Sequence, residues 1–260
     1  MDSRKHIETW TVRAVRTAVL LTVLLMMPEG IMAQHSDFGV WTTVGAEKSL
    51  GEKWSVGAEG EFRTRDNSGT ADRWSFGLEG SYKIVTGLKL SAGYTLLCDN
   101  NDGEITVHED GSYNSRRPSY WGLRHRFNVS LTGSVKTGRF GISLRERWQY
   151  TYRPRKTTER YDYDNGLWED YNVRGKGHNV LRSRLKVEYD IPGCRIDPYA
   201  SAEMYNSFSL EKSRYIVGAE WKITRTHSVG LYYLYQNVNN DKDDDDTDEH
   251  VLGLSYRIKL

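Results

Sequence analysis

From Asp37 to the last residue this chain repeats one unit: about ten residues that alternate apolar and polar, then a turn. In the clearest copy Trp54, Val56, Ala58, Gly60 and Phe62 occupy one phase, and Ser55, Glu59, Glu61, Arg63 and Arg65 the other. Strand side chains alternate faces with a period of two, so such a segment is oily on one side and charged on the other. A soluble sandwich tolerates one or two strands of this kind. A whole chain of them, with the charged phase as regular as the apolar one, suits a barrel with lipid outside and water inside. The expected fold is all-β, a transmembrane up-and-down antiparallel β-barrel of about ten to twelve strands.

What precedes the repeat reads as an export signal. Arg4, Lys5, Arg13 and Arg16 form a basic leader, Ala18 to Met27 is an apolar run, and Pro28 and Gly30 break it before Ile31-Met32-Ala33. The run is too short to span a bilayer and fits a cleaved secretory signal over residues 1–33, leaving a barrel domain over residues 34–260. No other stretch approaches a membrane helix in length. The mean hydropathy of −0.67 does not argue against a barrel, because only alternate residues face lipid. A formal net charge of +1 argues against a nucleic-acid binder.

Eleven strands can be read: Asp37–Glu47, Trp54–Arg65, then segments centred on Leu78, Ala92, Val129, Leu144, Leu185, Ala202, Val217, Leu231 and Leu254. Short turns near Ser49, Thr86, Gly138, Gly193 and Thr224 alternate with longer polar connections, 66–71, 99–119, 154–177, 206–212 and 237–248. Bacterial outer-membrane barrels keep short turns inside and long loops outside, which orients the chain. An odd count conflicts with the even number usual for such barrels. Three ways out are a first segment that crosses the lumen, a split strand hidden in 154–177, or a miscount. Cys98 and Cys194 fall at opposite ends of the barrel, so two free thiols are expected. Trp41, Trp54, Trp74, Trp121, Trp148 and Trp221 lie mostly near strand ends, where amphipathic rings favour a membrane interface.

The order and spacing of several short motifs carry a resemblance. They are Asp37-Phe38-Gly39-Val40-Trp41, Lys48-Ser49-Leu50, Trp54-Ser55-Val56, Glu61-Phe62-Arg63, Gly93-Tyr94 and Arg145-Glu146-Arg147-Trp148-Gln149-Tyr150. Together these resemble an uncharacterised family of small exported Bacteroidetes proteins, domain of unknown function 2490, over about Asp37 to Leu260. The resemblance implies an outer-membrane β-barrel and names no catalytic residue. One departure is the C-terminal Leu260, where such barrels usually end in an aromatic.

The polar phase is unevenly charged. Arg124, Arg126, Arg145, Arg147, Arg182, Arg184 and Lys186 form a basic wall on three neighbouring strands, while Glu59, Glu61, Glu79, Glu203 and Glu220 lie on other strands. A small barrel is just wide enough for its side chains to fill, so the two walls could meet as an ion-pair plug. Alternatively the basic stripe lines a narrow passive pore that favours anions. Glu146 points by phase to the lipid side between Leu144 and Trp148, to be explained by a bulge that turns it inward or by a protein contact; His125 faces outward near the rim.

The run Asp241 to Glu249 lacks calcium-loop spacing and reads as a solvated hairpin tip. The stretch Arg160–Tyr171, with Trp168, could recognise a sugar or a partner, or fold over the barrel mouth. His108, Glu109, Asp110 and Ser112 are the single loop grouping with the residue types of a hydrolase. Neither a metal nor a cofactor is expected. The reading is a non-enzymatic outer-membrane barrel, either a narrow passive channel or a structural or adhesion platform. Its partners are outer-membrane lipid and, during insertion, the barrel-assembly machinery. The alternatives are an outer-membrane enzyme acting on lipid or lipopolysaccharide, and a soluble periplasmic barrel whose aromatic faces form one closed core.

Overall fold

The structure, a computed structural model, describes residues 37–239 and 248–260. The export segment and most of the acidic run, 241–247, lie outside the described residues. The strands are β1 (Asp37–Leu50), β2 (Trp54–Arg65), β3 (Thr70–Val85), β4 (Leu88–Asn101), β5 (Glu104–Val107), β6 (Tyr113–Arg117), β7 (Tyr120–Thr137) and β8 (Phe140–Arg153). They continue with β9 (Lys156–Asp162), β10 (Leu167–Val173), β11 (Lys176–Tyr189), β12 (Ile196–Ser207), β13 (Ser209–Lys222), β14 (His227–Val238) and β15 (Glu249–Lys259). Eleven close into a barrel in the order β1-β15-β14-β13-β12-β11-β8-β7-β4-β3-β2.

The odd count resolves by one parallel pair. Directions alternate around an antiparallel wall, so an odd number leaves first and last strands running the same way. Here β1 pairs parallel with β15 from Asp37↔Glu249 to Glu47↔Lys259. The first strand lies in the wall from its first residue, and the 154–177 insert contributes no wall strand beyond extending β11 back to Lys176. The strand pattern is therefore up-and-down, with the closure departing from the fully antiparallel expectation.

Phase sets the faces. Trp54, Val56, Phe76, Leu78, Leu131, Leu144 and Leu254 stand exposed on the outside, whereas Ser130, Asn128, Gln149, Glu203, Arg214 and Gln236 are buried inside. Polar inside and apolar outside is the arrangement of a membrane barrel. It is the reverse of the soluble barrel with a closed aromatic core, which this chain does not form. Outer aromatics pair across strands near the rims, as in Trp54–Tyr82 (4.7 Å between centroids) and Phe62–Trp74 (4.4 Å). Outward tyrosines also hydrogen-bond outward histidines: Tyr94 with His125 (2.7 Å), Tyr256 with His227 (2.8 Å) and Tyr233 with His250 (2.5 Å). Each pair satisfies a phenol and an imidazole that would otherwise lose hydrogen bonds on leaving water.

The two ends differ. At one, short turns carry Gly51, Gly87, Gly138 and Gly193 at positive φ, together with the C-terminus. The other holds the longer connections. There the 66–69 turn places Asp66, Asn67 and Ser68 in the left-handed region, and the Asp37 carboxylate accepts the Asp66 and Asn67 amides at 2.7 and 2.8 Å. The expected 206–212 loop is instead a tight turn, with Ser207 paired to Ser209 around Phe208 at φ 62.

Two long connections become ordered structure. β5, β6, β9 and β10 form a separate sheet in the order β10-β9-β6-β5. That order repeats β11-β8-β7-β4, the wall strands they prolong, so the sheet is an extension of the wall. The joints require small residues: a Cβ on Gly103 would sit 2.8 Å from the Arg117 carbonyl oxygen, and one on Gly175 would sit 3.2 Å from that of Arg153. Cys98 and Cys194 are both free.

Candidate functional site

In the loop-side half of the lumen the inward side chains meet in one network. Glu203 on β12 is 1% exposed and is the hub. It receives Arg182 at 2.5 Å, Arg145 at 3.6 Å and Arg184 at 3.8 Å. The Tyr205 hydroxyl also donates to Glu203 (3.2 Å) and accepts from Arg214 Nη1 (2.7 Å), whose Nε donates to the Gln236 carbonyl (2.7 Å). Arg214 lies 4.9 Å from the Trp41 ring, and Arg63 covers the same ring at 3.6 Å. Trp41 Nε1 donates to Glu249 at 3.3 Å, and Arg63 pairs with Glu61 at 2.7 Å. The chain of contacts runs from β8 and β11 round to β1 and β2. A second node joins Asp99 to Arg73 and, at 2.9 Å, to Arg124. Leu97, Leu234 and Val251 fill the space between the polar groups.

The basic wall is thus distributed among several partners. Arg147 reaches Glu79 at 3.0 Å, from β8 to β3, a strut across the lumen since β7 and β4 stand between them in the wall. Arg126 donates to Thr151 at 3.2 Å. Lys186 pairs with Glu188 on its own strand at 2.7 Å and lies 4.3 Å from the Tyr199 ring. Among the expected acidic partners, Glu79 and Glu203 meet the basic wall and Glu61 is taken by Arg63. Glu59 and Glu220 form no ion pair among the described residues. Glu59 is exposed to the lumen in the turn-side half, as is Arg257.

Trp41, expected at an interface, is buried inside the barrel. Its phase was readable, because Val40, Thr42 and Val44 share the opposite face. Asp99 and Asn101 keep the inward phase of Ser91 and Leu97, so β4 runs five residues beyond the Leu96 at which its apolar pattern stops. Glu146 stays outward and opposes Ser183 and Leu131 without a bulge, which removes the expected inward turn. Ser183 donates to its carboxylate at 2.6 Å.

The hydrolase grouping does not assemble. The Ser112 hydroxyl donates to Asp110 (2.6 Å) instead of an imidazole, and His108 Nε2 meets Asp164 on the neighbouring hairpin (3.1 Å). The Ser112 hydroxyl and amide hold the Asp110 carboxyl below the usual carboxylate range. This is the chemistry of a turn, since an activated nucleophile needs its base within hydrogen-bond reach. Among the described residues no cluster of three or more His, Cys, Asp or Glu could cage a metal ion.

The extension sheet has two unlike faces. On one, Ser115 and Val173 are buried, and Arg117 lies 5.1 Å from the Tyr171 ring and 5.8 Å from that of Tyr120. The other carries Tyr113, Tyr161, Tyr163 and Trp168 in mutual contact, Tyr161 half-buried and the other three exposed.

Among solved structures, the barrel is similar to the beta domain of the Bordetella autotransporter Brka, at a TM-score of 0.50 and 16% identity, covering 74% of this chain and 79% of that one. The likeness is one of fold. No match to a curated protein was found. The family model described as "Protein of unknown function (DUF2490)" matches residues 38–247, most of the chain, and the chain belongs to that family.

Proposed function

We propose that this protein is a non-enzymatic barrel of the bacterial outer membrane, exported by a signal cleaved near Ala33, that acts as a structural and adhesion platform with a plugged lumen. The observation that carries it is the belt around Glu203, a carboxylate 1% exposed and ringed by three arginines in the loop-side half. An open pore needs water along its length, and side chains that enclose a charged hub at one level would act as a stopper. The outward apolar face supports lipid contact, and insertion would use the barrel-assembly machinery. The ordered extension sheet gives the platform something to display.

A narrow anion-favouring channel is the second reading, favoured by the excess of arginine over carboxylate on β7, β8 and β11. Protein extracted in detergent from cells producing the full chain and placed in a planar bilayer decides between them. The platform predicts a folded, heat-modifiable and electrically silent barrel. A reproducible anion-selective conductance, lowered by neutralising Arg145, Arg147 and Arg184, would overturn it in favour of the channel.

A further inference from the structure

The solvent-facing side of the extension sheet carries more apolar surface than folding explains. Register places Ile105, Arg116, Tyr161 and Trp168 in one row across β5, β6, β9 and β10. Tyr161 and Trp168 touch with ring centroids 5.3 Å apart, Tyr163 meets the edge of Tyr161 at 5.0 Å, and Tyr113 stacks on Tyr163 at 5.3 Å. Contact half-buries Tyr161 at the centre of the group but leaves Trp168 57% and Tyr113 60% exposed. A continuous exposed aromatic patch marks an interaction site more often than a packing accident.

The next rung supplies the polar half. Glu159 opposes Asp170, both are exposed, and neither carboxylate has a hydrogen bond or ion pair among the described residues. On the opposite face Arg160 is bonded to Glu169 (3.3 Å), and its guanidinium lies 5.7 Å from the Tyr171 ring. One face is therefore finished by its own contacts, and the other presents exposed Trp168 and half-buried Tyr161 beside two carboxylates that have no partner among the described residues.

We propose that this face binds a neutral saccharide chain, an inference that rests on the platform reading and names its ligand class. Aromatic faces carry negative charge and attract the weakly positive C–H groups on one side of a pyranose ring. The hydroxyls at the rim of that ring donate to carboxylates, and hydrogen bonds to a charged acceptor are the stronger kind. Tyr161 and Trp168 stack the sugar, and Glu159 and Asp170 accept from its hydroxyls. Glu159 and Asp170 in the adjacent rung outnumber Arg116, the one exposed cation in the aromatic row, so the face offers no excess of positive charge to an anionic headgroup.

The test uses protein extracted from cells producing the full chain, held in a detergent without a sugar head group. Maltohexaose, cellohexaose, laminarihexaose and mannohexaose are the probes, with binding read by calorimetry at millimolar ligand. Saturable binding to at least one is expected. Trp168→Ala should weaken it about tenfold, the loss of one stacking contact. Glu159→Gln with Asp170→Asn should weaken it less, because amide oxygens still accept. Heat-modifiable migration verifies that each variant is folded. Absence of binding to all four probes, or affinity unchanged in Trp168→Ala, overturns the proposal. So does binding to phosphatidylglycerol vesicles in place of the oligosaccharides, which would assign the face to lipid headgroups. The same preparations in a planar bilayer keep the two readings apart: silence without saccharide binding refutes the ligand alone, and conductance refutes the platform.

Discussion

The two halves of the lumen are built from the same residue types and behave as different media. On the loop side Glu203 and Asp99 are almost fully enclosed, each against more than one arginine, with Trp41, Leu97 and Leu234 closing the gaps. On the turn side Glu59 and Arg257 point into the same lumen and stay exposed. Charge pattern does not distinguish them. What does is whether apolar and aromatic side chains reach inward at the same level, because they exclude the water that otherwise screens a charge. An enclosed ion pair cannot lose one partner cheaply, whereas a solvated charge is worth little.

The largest expected effect tests that difference at its centre. Glu203→Ala leaves Arg145, Arg182 and Arg184 facing one another, and should cost about 3–5 kcal/mol of stability in urea unfolding. The same variant should raise bilayer conductance, since it removes the hub of the stopper. Unaltered stability would mean that water already fills the belt. Next comes packing in the enclosed half: a Cβ on Gly253 would fall 1.9 Å from the Tyr232 ring. Gly253→Val should therefore cost about 1–3 kcal/mol by overpacking, measurable as a lower urea midpoint. A neutral outcome would show that Tyr232 has room to move.

The outer wall provides the opposite sign. Glu146 shares the lipid-side face with Leu131 and has the Ser183 hydroxyl as its hydrogen-bond donor. Glu146→Leu should stabilise the barrel in lipid by about 1–2 kcal/mol, below the range for a mid-bilayer arginine or lysine. Destabilisation instead would point to a protein contact at this position. The smallest effect belongs to the turn side, where Glu59→Gln should stay within about 0.5 kcal/mol of the parent in the same unfolding assay. A loss comparable to that of Glu203→Ala would abolish the distinction between the halves.

Much of this architecture was legible in the residues. The phase of Trp54 to Arg65, repeated eleven times, identifies every wall strand and separates lipid face from lumen face, because period two admits a single assignment once one side is apolar. Glu203 and Tyr205 were readable as inward for the same reason. Their shared network with Arg214, Gln236 and Trp41 was not, since it joins strands that the chain visits far apart. The 99–119 and 154–177 segments read as loops because their composition is polar and their strands are short. Their hairpins are supported by the wall strands below and, at Ser115↔Asp162 and Arg116↔Tyr161, by each other.

The residue order by itself determined the fold class, a strand number of about ten to twelve and the face of nearly every side chain, since these follow from local periodicity. It also put a basic wall on three adjacent strands. Only the tertiary structure decided that the barrel closes through a parallel pair, that the lumen-facing charges are enclosed in one half and exposed in the other, and that Tyr161 and Trp168 share a face with Glu159 and Asp170. Those properties depend on which strands become neighbours and how far side chains reach across the space between them. Distance across a closed wall is not encoded in any local window of sequence.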